Sequence, residues 1–347
     1  MFKTINAWRG IFALVIVLYH SHVHWMDQAV SLGVSFFFVA SGFLLTVRHR
    51  HDFDELNGGH WWRFWWQRAC RIYPIHWLAL ACIVVMQVVL EHKIIDWSIL
   101  SAEATLTQSW INQHRDFYFG YNGQSWFLSS LLFCYACYPL FARYFSRWRL
   151  RWQLLAVAVV MAVLAICLPQ MTGSQRTYTY VCPAIRIGDF ALGVVAANIY
   201  QKFSSHSRIR LPMATILELS AVALALTVVL INRHTRLVSV WDHYLVWWIP
   251  ATVIVFVAGT LNGQEGRLGR FLLAKPFQWL GKVSLEIYLF QGVAAMIVNY
   301  TISPLLGHFG IMAYDQYVWS QVPLLLLMSW GIYKLRTKCT PLHTQRQ

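Results

Sequence analysis

Runs of about twenty mostly apolar residues recur along this chain of 347 residues, and each can cross a hydrocarbon core of ~30 Å as a helix. Inside a bilayer every backbone polar group must find its partner within the protein, so these runs leave little choice of secondary structure. Ten spans can be drawn, at about 8–26, 31–47, 72–91, 124–142, 153–170, 183–201, 212–231, 244–261, 282–301 and 318–335. With 58% hydrophobic and 12% charged residues, a soluble domain of this size could not hide its apolar surface. The 18 Trp and 16 Tyr suit the two bilayer interfaces. The expected fold is all-α: a polytopic membrane helix bundle of about ten transmembrane helices.

The net charge of +14 could suggest nucleic acid, but the basic residues sit in short segments between the apolar runs. Counted over alternate connections, 22 of the 28 Lys and Arg fall on the side of the two termini. That asymmetry places both termini in the cytoplasm and argues against a nucleic-acid partner. Lys3 followed by an apolar stretch resembles a secretory leader, yet Arg9 interrupts the stretch and no small-x-small cleavage site follows, so it is expected to remain as the first span. One integral-membrane domain is expected over 1–340, with 341–347 a short cytoplasmic tail. The seven cysteines are odd in number and lie mostly in apolar runs, including Cys134 and Cys137 of "CYAC", which reads as small residues in a packed helix.

The polar residues inside the spans are the informative ones. In "WRGIFALVIVLYH", Arg9 and His20 are eleven residues apart, which in a helix puts them on one face, separated by ~16 Å. An ionisable group at such a depth marks a functional path or hydrogen-bonds a neighbouring helix. His22 and His24 read as interfacial, because two histidines one turn apart lack a third metal ligand. Arg68 and Arg71 share a helix face and can either grip phosphate or anchor the cytoplasmic side. Residues 48–71, with "HWWRFWWQRACR", suggest a helix lying in the inner interface before the third span. Residues 93–123 form the longest outer loop, read as a lid or an acceptor-binding surface. Gln124, Ser125 and Trp126 open the fourth span, and Glu286 in the ninth can pair with an arginine or accept a proton. Asp189 is expected to form a local ion pair with Arg186, and Glu218 lies near the cytoplasmic end of the seventh span.

The order of "WRGIFALVIVLYH", "LGVSFFFVASGFLL", "RFWWQRACRIYP", "SWFLSSLLFCYACYPL", "RIGDFALGVVAA" and "LGKVSLEIYL" resembles the integral-membrane acyltransferase-3 family from residue 8 to about 290. Carried over position by position, the resemblance implies that His20 is the catalytic histidine, Arg9 its essential partner, and Arg68 and Arg71 the R-x-x-R motif of the acyl-donor side. The chain departs from the family pattern at three places: Ser35 stands where many members are acidic, "LSSLLF" lacks a common glutamate, and Phe290 and Gln291 stand where a histidine is common.

The function this implies is O-acylation, with acetyl the expected group, of a hydroxyl on a cell-surface glycan or glycolipid, in the bacterial inner membrane. Acetyl-CoA or another acyl-CoA is the expected donor substrate, with no permanently bound cofactor and no metal. Its phosphates are assigned to Arg68, Arg71 and Lys282, with Arg9, and Tyr73 and Ser41 are placed on the same donor side. Gln124, Ser125, Trp126 and Glu286 are assigned to the acceptor. His20 is the expected general base, because a neutral imidazole titrates near working pH. Ser41, Trp126 and Arg9 are the alternatives for stabilising the oxyanion. The rival readings are a transporter or flippase of a lipid-linked glycan and a membrane scaffold without chemistry. No transporter-type internal repeat supports the first.

Overall fold

The computed structural model describes residues 2–21, 23, 27–55, 57–111, 114–203, 209–235, 245–308 and 316–339. His22, His24, Arg208, Arg236 and the tail 341–347 lie outside the described residues, as do the side chains of Arg233 and Cys339. Among the described residues the fold is helical, with no strand. The first half of the chain forms α1 (Lys3–His20), α2 (Asp27–His49), α3 (Gly58–Glu91), α4 (Trp97–Ala104), α5 (Arg115–Phe119), α6 (Trp126–Arg143) and α7 (Leu150–Cys167). Then come α8 (Gly173–Val181), α9 (Pro183–Phe203), α10 (Leu211–Thr235), α11 (Leu245–Thr260), α12 (Arg267–Leu272) and α13 (Lys275–Lys282). The chain closes with α14 (Ser284–Ile297), α15 (Ser303–His308) and α16 (Gln316–Cys339).

Each of the expected spans overlaps a helix among the described residues. Six helical stretches, built on α2, α3, α6, α7, α10 and α14, are long and apolar enough to cross a membrane. A seventh is reached if α8 and α9, bent by 49° at their junction, are taken together. The chain is therefore a multi-pass helical membrane protein. α7 and α10 expose most of their apolar residues, as helices facing lipid do, whereas α2 and α6 are largely buried.

Two expectations are corrected. The Trp- and Arg-rich stretch 60–71 is not a separate interfacial helix: it is the first half of α3, which runs unbroken for 34 residues, or about 51 Å, well beyond a hydrocarbon core. Asn57 starts it by accepting from the Gly59 amide, and His92 ends it in the left-handed conformation at φ 52°. The segment 93–123 is not a lid standing off the outer face. Tyr73, His76 and Trp77, fourteen to eighteen residues before the end of α3, donate to the Thr105, Glu103 and Ala104 carbonyls at 2.9 Å each. The segment thus folds back along α3 by some 21–27 Å of helix rise.

Glycines set the closest helix contacts. α2 and α9 cross where a Cβ on Gly193 would stand 2.0 Å from the Val39 carbonyl oxygen, and one on Gly42 would stand 2.2 Å from that of Phe190. α1 meets α13 in the same way, with a Gly281 Cβ falling 2.0 Å from the Asn6 carbonyl oxygen and a Gly10 Cβ 2.6 Å from the Gly281 amide nitrogen. Backbone on backbone cannot be relieved by a rotamer change. Gly193→Leu should therefore cost about 1–3 kcal/mol and lower the melting temperature of the detergent-solubilised protein by roughly 5 °C. Gly331→Ala, with open space around the new methyl, should not lower it.

Candidate functional site

The close approach at Gly10 brings the start of α14 beside Arg9. Asn6 adds a hydrogen bond from Nδ2 to the Gln278 carbonyl at 3.0 Å, which fixes α13 against α1. One turn into α14, Glu286 is fully buried, and its Oε1 receives Arg336 Nη2 from α16 at 2.9 Å. Arg9 lies within electrostatic range of Glu286, Arg336 and Tyr135 of α6. The arginine partner expected for Glu286 is thus Arg336, which the sequence offered only as one more basic residue after the last span. Glu286 does not stand with Gln124, Ser125 and Trp126 but at the Arg9 end of α1.

A second basic group approaches Tyr135 from α3. Arg68 Nη2 donates to His49 Nε2 at 2.9 Å, and His49 Nδ1 meets Asp52 Oδ2 at 2.7 Å, so the imidazole carries its proton on Nδ1 and accepts through Nε2. The guanidinium also covers the Phe64 ring, with its carbon 5.0 Å from the centroid. Its buried Nε has no hydrogen-bond partner among the described residues. Arg71, Arg48 and Tyr135 all lie within electrostatic range of Arg68. Two groups of guanidinium ions, one from α1 and α16 and one from α2 and α3, therefore converge on one tyrosine.

Lys282 is exposed at the end of α13, one turn before Glu286. The Ser41 hydroxyl donates to its own helix, to the Phe37 carbonyl at 2.8 Å. Tyr73 is drawn away from the arginines: its hydroxyl serves the Thr105 carbonyl of the folded-back segment.

At the other end of α1, His20 is the last helical residue and is exposed. Its Nδ1 lies 2.8 Å from the Ile16 carbonyl oxygen, which accepts only. Nδ1 therefore carries a proton, directed at that carbonyl. Tyr19 packs edge-on against the imidazole at 5.0 Å. The next residue is clamped: Ser21 Oγ donates to Gln321 Oε1 of α16 at 2.8 Å, and Gln321 Nε2 donates to the Gln291 carbonyl of α14 at 3.2 Å. Gln124 and Trp126 reach the same end. Tyr288 OH donates to the Gln124 carbonyl at 2.9 Å, Trp126 lies 5.0 Å from Tyr180, and Tyr180 is within electrostatic range of Tyr19. Ser125 is taken up by Glu103, to which its hydroxyl donates at 2.8 Å.

The expected pair of Arg186 and Asp189 forms at 3.3 Å with both side chains fully buried. Arg186 also lies over the Phe38 and Tyr180 rings and donates to Ser35 Oγ at 3.4 Å. Ser35, at the position where the family resemblance implies an acid in many members, thus faces a guanidinium that this chain supplies with Asp189 instead. Glu218 accepts the Gly266 amide at 2.9 Å and so ties α10 to the start of α12, away from His20.

The family model described as an acyltransferase domain matches residues 2–333. The acyltransferase MdmB of Streptomyces mycarofaciens is 30% identical over 187 residues, covering 49% of this chain and 46% of that protein. The peptidoglycan O-acetyltransferase OatA of Listeria monocytogenes is 20% identical over 305 residues, covering 83% of this chain and 48% of its own length. The O-acetyltransferase OatA of Staphylococcus aureus is 22% identical over 306 residues, covering 84% and 50%. The chain spans about half the length of these curated relatives. No solved structure matches it.

Removing Arg336 strands the Glu286 carboxylate with Arg9 as its nearest remaining cation. Arg336→Ala should lower the melting temperature, and adding Glu286→Gln should restore part of the loss. The double-mutant cycle is expected to give a coupling of about 1–3 kcal/mol. Additive effects would show that the two side chains do not act as a unit.

Proposed function

The chain belongs to the acyltransferase-3 family, and from that premise we propose that it is a membrane O-acyltransferase. It moves an acyl group, acetyl by preference, from cytoplasmic acyl-CoA to a hydroxyl of a cell-surface glycan or glycolipid. The observation that carries this reading is α1 itself, an unbroken helix with Arg9 in a cluster of guanidinium groups at one end and His20, its Nδ1 tied to the Ile16 carbonyl, at the other. The charge asymmetry of the connections supports an even number of spans, drawn as ten, with both termini in the cytoplasm, and the O-acetyltransferase relatives from bacteria support a bacterial inner membrane. One domain over 1–340 carries the site.

The donor's phosphates lie against Arg68, Arg71 and Arg9, with Arg336 as a further cation. The spare Arg68 Nε supports this, because a buried donor is costly unless something accepts from it. Lys282 adds charge at the same end. The pantetheine arm extends along α1 and presents the thioester to His20. His20 Nε2 takes the proton from the acceptor hydroxyl as its oxygen attacks the thioester carbonyl. The tetrahedral intermediate then collapses with loss of the thiolate, which recovers the proton from the imidazolium. The products are the O-acyl glycan and free CoA. Gln124 and Trp126 border the acceptor, and Trp126 is the oxyanion candidate at the His20 end of α1, since Arg9 stands ~16 Å away and the Ser41 hydroxyl donates to its own helix.

His20→Ala should lower acetyl-CoA-dependent acetylation of the glycan by at least about a hundredfold while leaving CoA affinity unchanged. Arg68→Ala should do the reverse and weaken CoA binding, measured by titration calorimetry. A His20→Ala protein that still acetylates at the wild-type rate would rule the mechanism out.

A further inference from the structure

The segment 93–123 is built around one carboxylate that no step above uses. Glu103 is fully buried and accepts from the Tyr121 amide at 2.7 Å, the Asn122 amide at 2.8 Å and Ser125 Oγ at 2.8 Å. Gln108 Nε2 completes the cluster by donating to Ser125 Oγ at 2.9 Å. Gly120 makes room for it: with φ at +34°, a Cβ there would stand 2.3 Å from Glu103 Oε2. The backbone of Glu103 is held just as firmly. His76, Trp77 and Tyr73, on one face of α3, donate to the carbonyls that end α4, the groups a helix leaves unsatisfied.

Three donors around a buried carboxylate make strong, short, directional contacts, and replacing one oxygen by an amide turns an acceptor into a donor facing other donors. The arrangement therefore fixes residues 121–125 and makes the segment a rigid wall. The wall continues to the reaction site. Asn122 Nδ2 donates to the Leu289 carbonyl of α14 at 3.1 Å, Tyr288 OH holds the Gln124 carbonyl, and Ser109 Oγ holds the Trp126 carbonyl at 3.1 Å. The Gln291 carbonyl, half a turn beyond Leu289, is the one bound by Gln321, whose other end holds Ser21 beside His20.

We infer that Glu103 is a positioning residue: it sets residues 121–126 against α14 and so fixes the acceptor side of the site relative to His20, an inference that rests on the acyltransferase reading. Glu103 touches neither substrate. It acts through the backbone amides of Tyr121 and Asn122 and through Ser125, which hold Gln124 and Trp126 in place. At the donor end Arg336 is held by Glu286 and Arg68 by His49, neither of them through Glu103.

The test compares wild type, Glu103→Gln and Asn122→Ala, each as the full chain, in cells deleted for the protein. It reads base-labile acetate on the isolated surface glycan and, on the purified proteins, affinity for CoA. Glu103→Gln is expected to accumulate normally, bind CoA like wild type and leave less than a tenth of the acetate. Asn122→Ala, which removes only the tie to Leu289, is expected to lose about threefold with CoA affinity unchanged, and it carries the test alone if Glu103→Gln does not accumulate. Wild-type acetate in these variants overturns the inference. So does a parallel loss of CoA affinity, which would make Glu103 a support of the whole bundle. A wild-type arm that adds no acetate refutes the acyltransferase reading, and this inference falls with it.

Discussion

A carboxylate taken out of water must be answered by cations or by several hydrogen-bond donors, and Glu286 is answered by Arg336 at 2.9 Å with Arg9 in range. This constraint organises the Arg9 end of the bundle. α16 must return to the start of α14 to deliver Arg336, and α1 must come close enough to deliver Arg9, which the glycine contact between α1 and α13 allows. With Arg68, Arg71 and Arg48 on the far side of Tyr135, cations outnumber the acids among them. Like charges held together repel, so such a cluster is most stable when an anion shares it. A donor bearing phosphates suits that surplus.

The same two helices that build the proposed donor end also fix the proposed acceptor end. α14 supplies Glu286 below and the Gln291 carbonyl above, and α16 supplies Arg336 below and Gln321 above. α1 packs against α14 and reaches α16 through Ser21, with Arg9 at one level and Ser21, beside His20, at the other. The separation of donor cluster and base is therefore set by three helices tied at both ends. That rigidity suits the proposed reaction, in which the thioester meets the imidazole at a fixed depth, because misplacement by about an ångström is costly in rate.

Much of this was legible in the sequence because its causes are local. Apolar runs specify helices, eleven residues of spacing put Arg9 and His20 on one face, and i, i+3 spacing pairs Arg186 with Asp189. What was not legible depends on residues far apart in the chain. Nothing in "YKLRTK" distinguishes Arg336 from the anchoring cations around it until α16 is packed against α14. Glu103 sits in a polar stretch that reads as surface, and its burial comes from the amides of Tyr121 and Asn122, which any residue type could provide. Tyr73 follows the R-x-x-R motif and so reads as part of the donor side, yet its hydroxyl serves a carbonyl of the folded-back segment. The extension of α3 through its Trp- and Arg-rich start was hidden because such composition suits an interface at any helix tilt.

The central claim is that donor and acceptor are engaged from opposite ends of one helix, and sidedness tests it most directly. Sealed membrane vesicles of known orientation, retaining their native glycan, would be given radiolabelled acetyl-CoA from outside. Inverted vesicles, with the cytoplasmic face outward, should transfer label to glycan protected in the lumen, and right-side-out vesicles should transfer none. Labelling of glycan on the same face as the supplied acetyl-CoA would contradict the account.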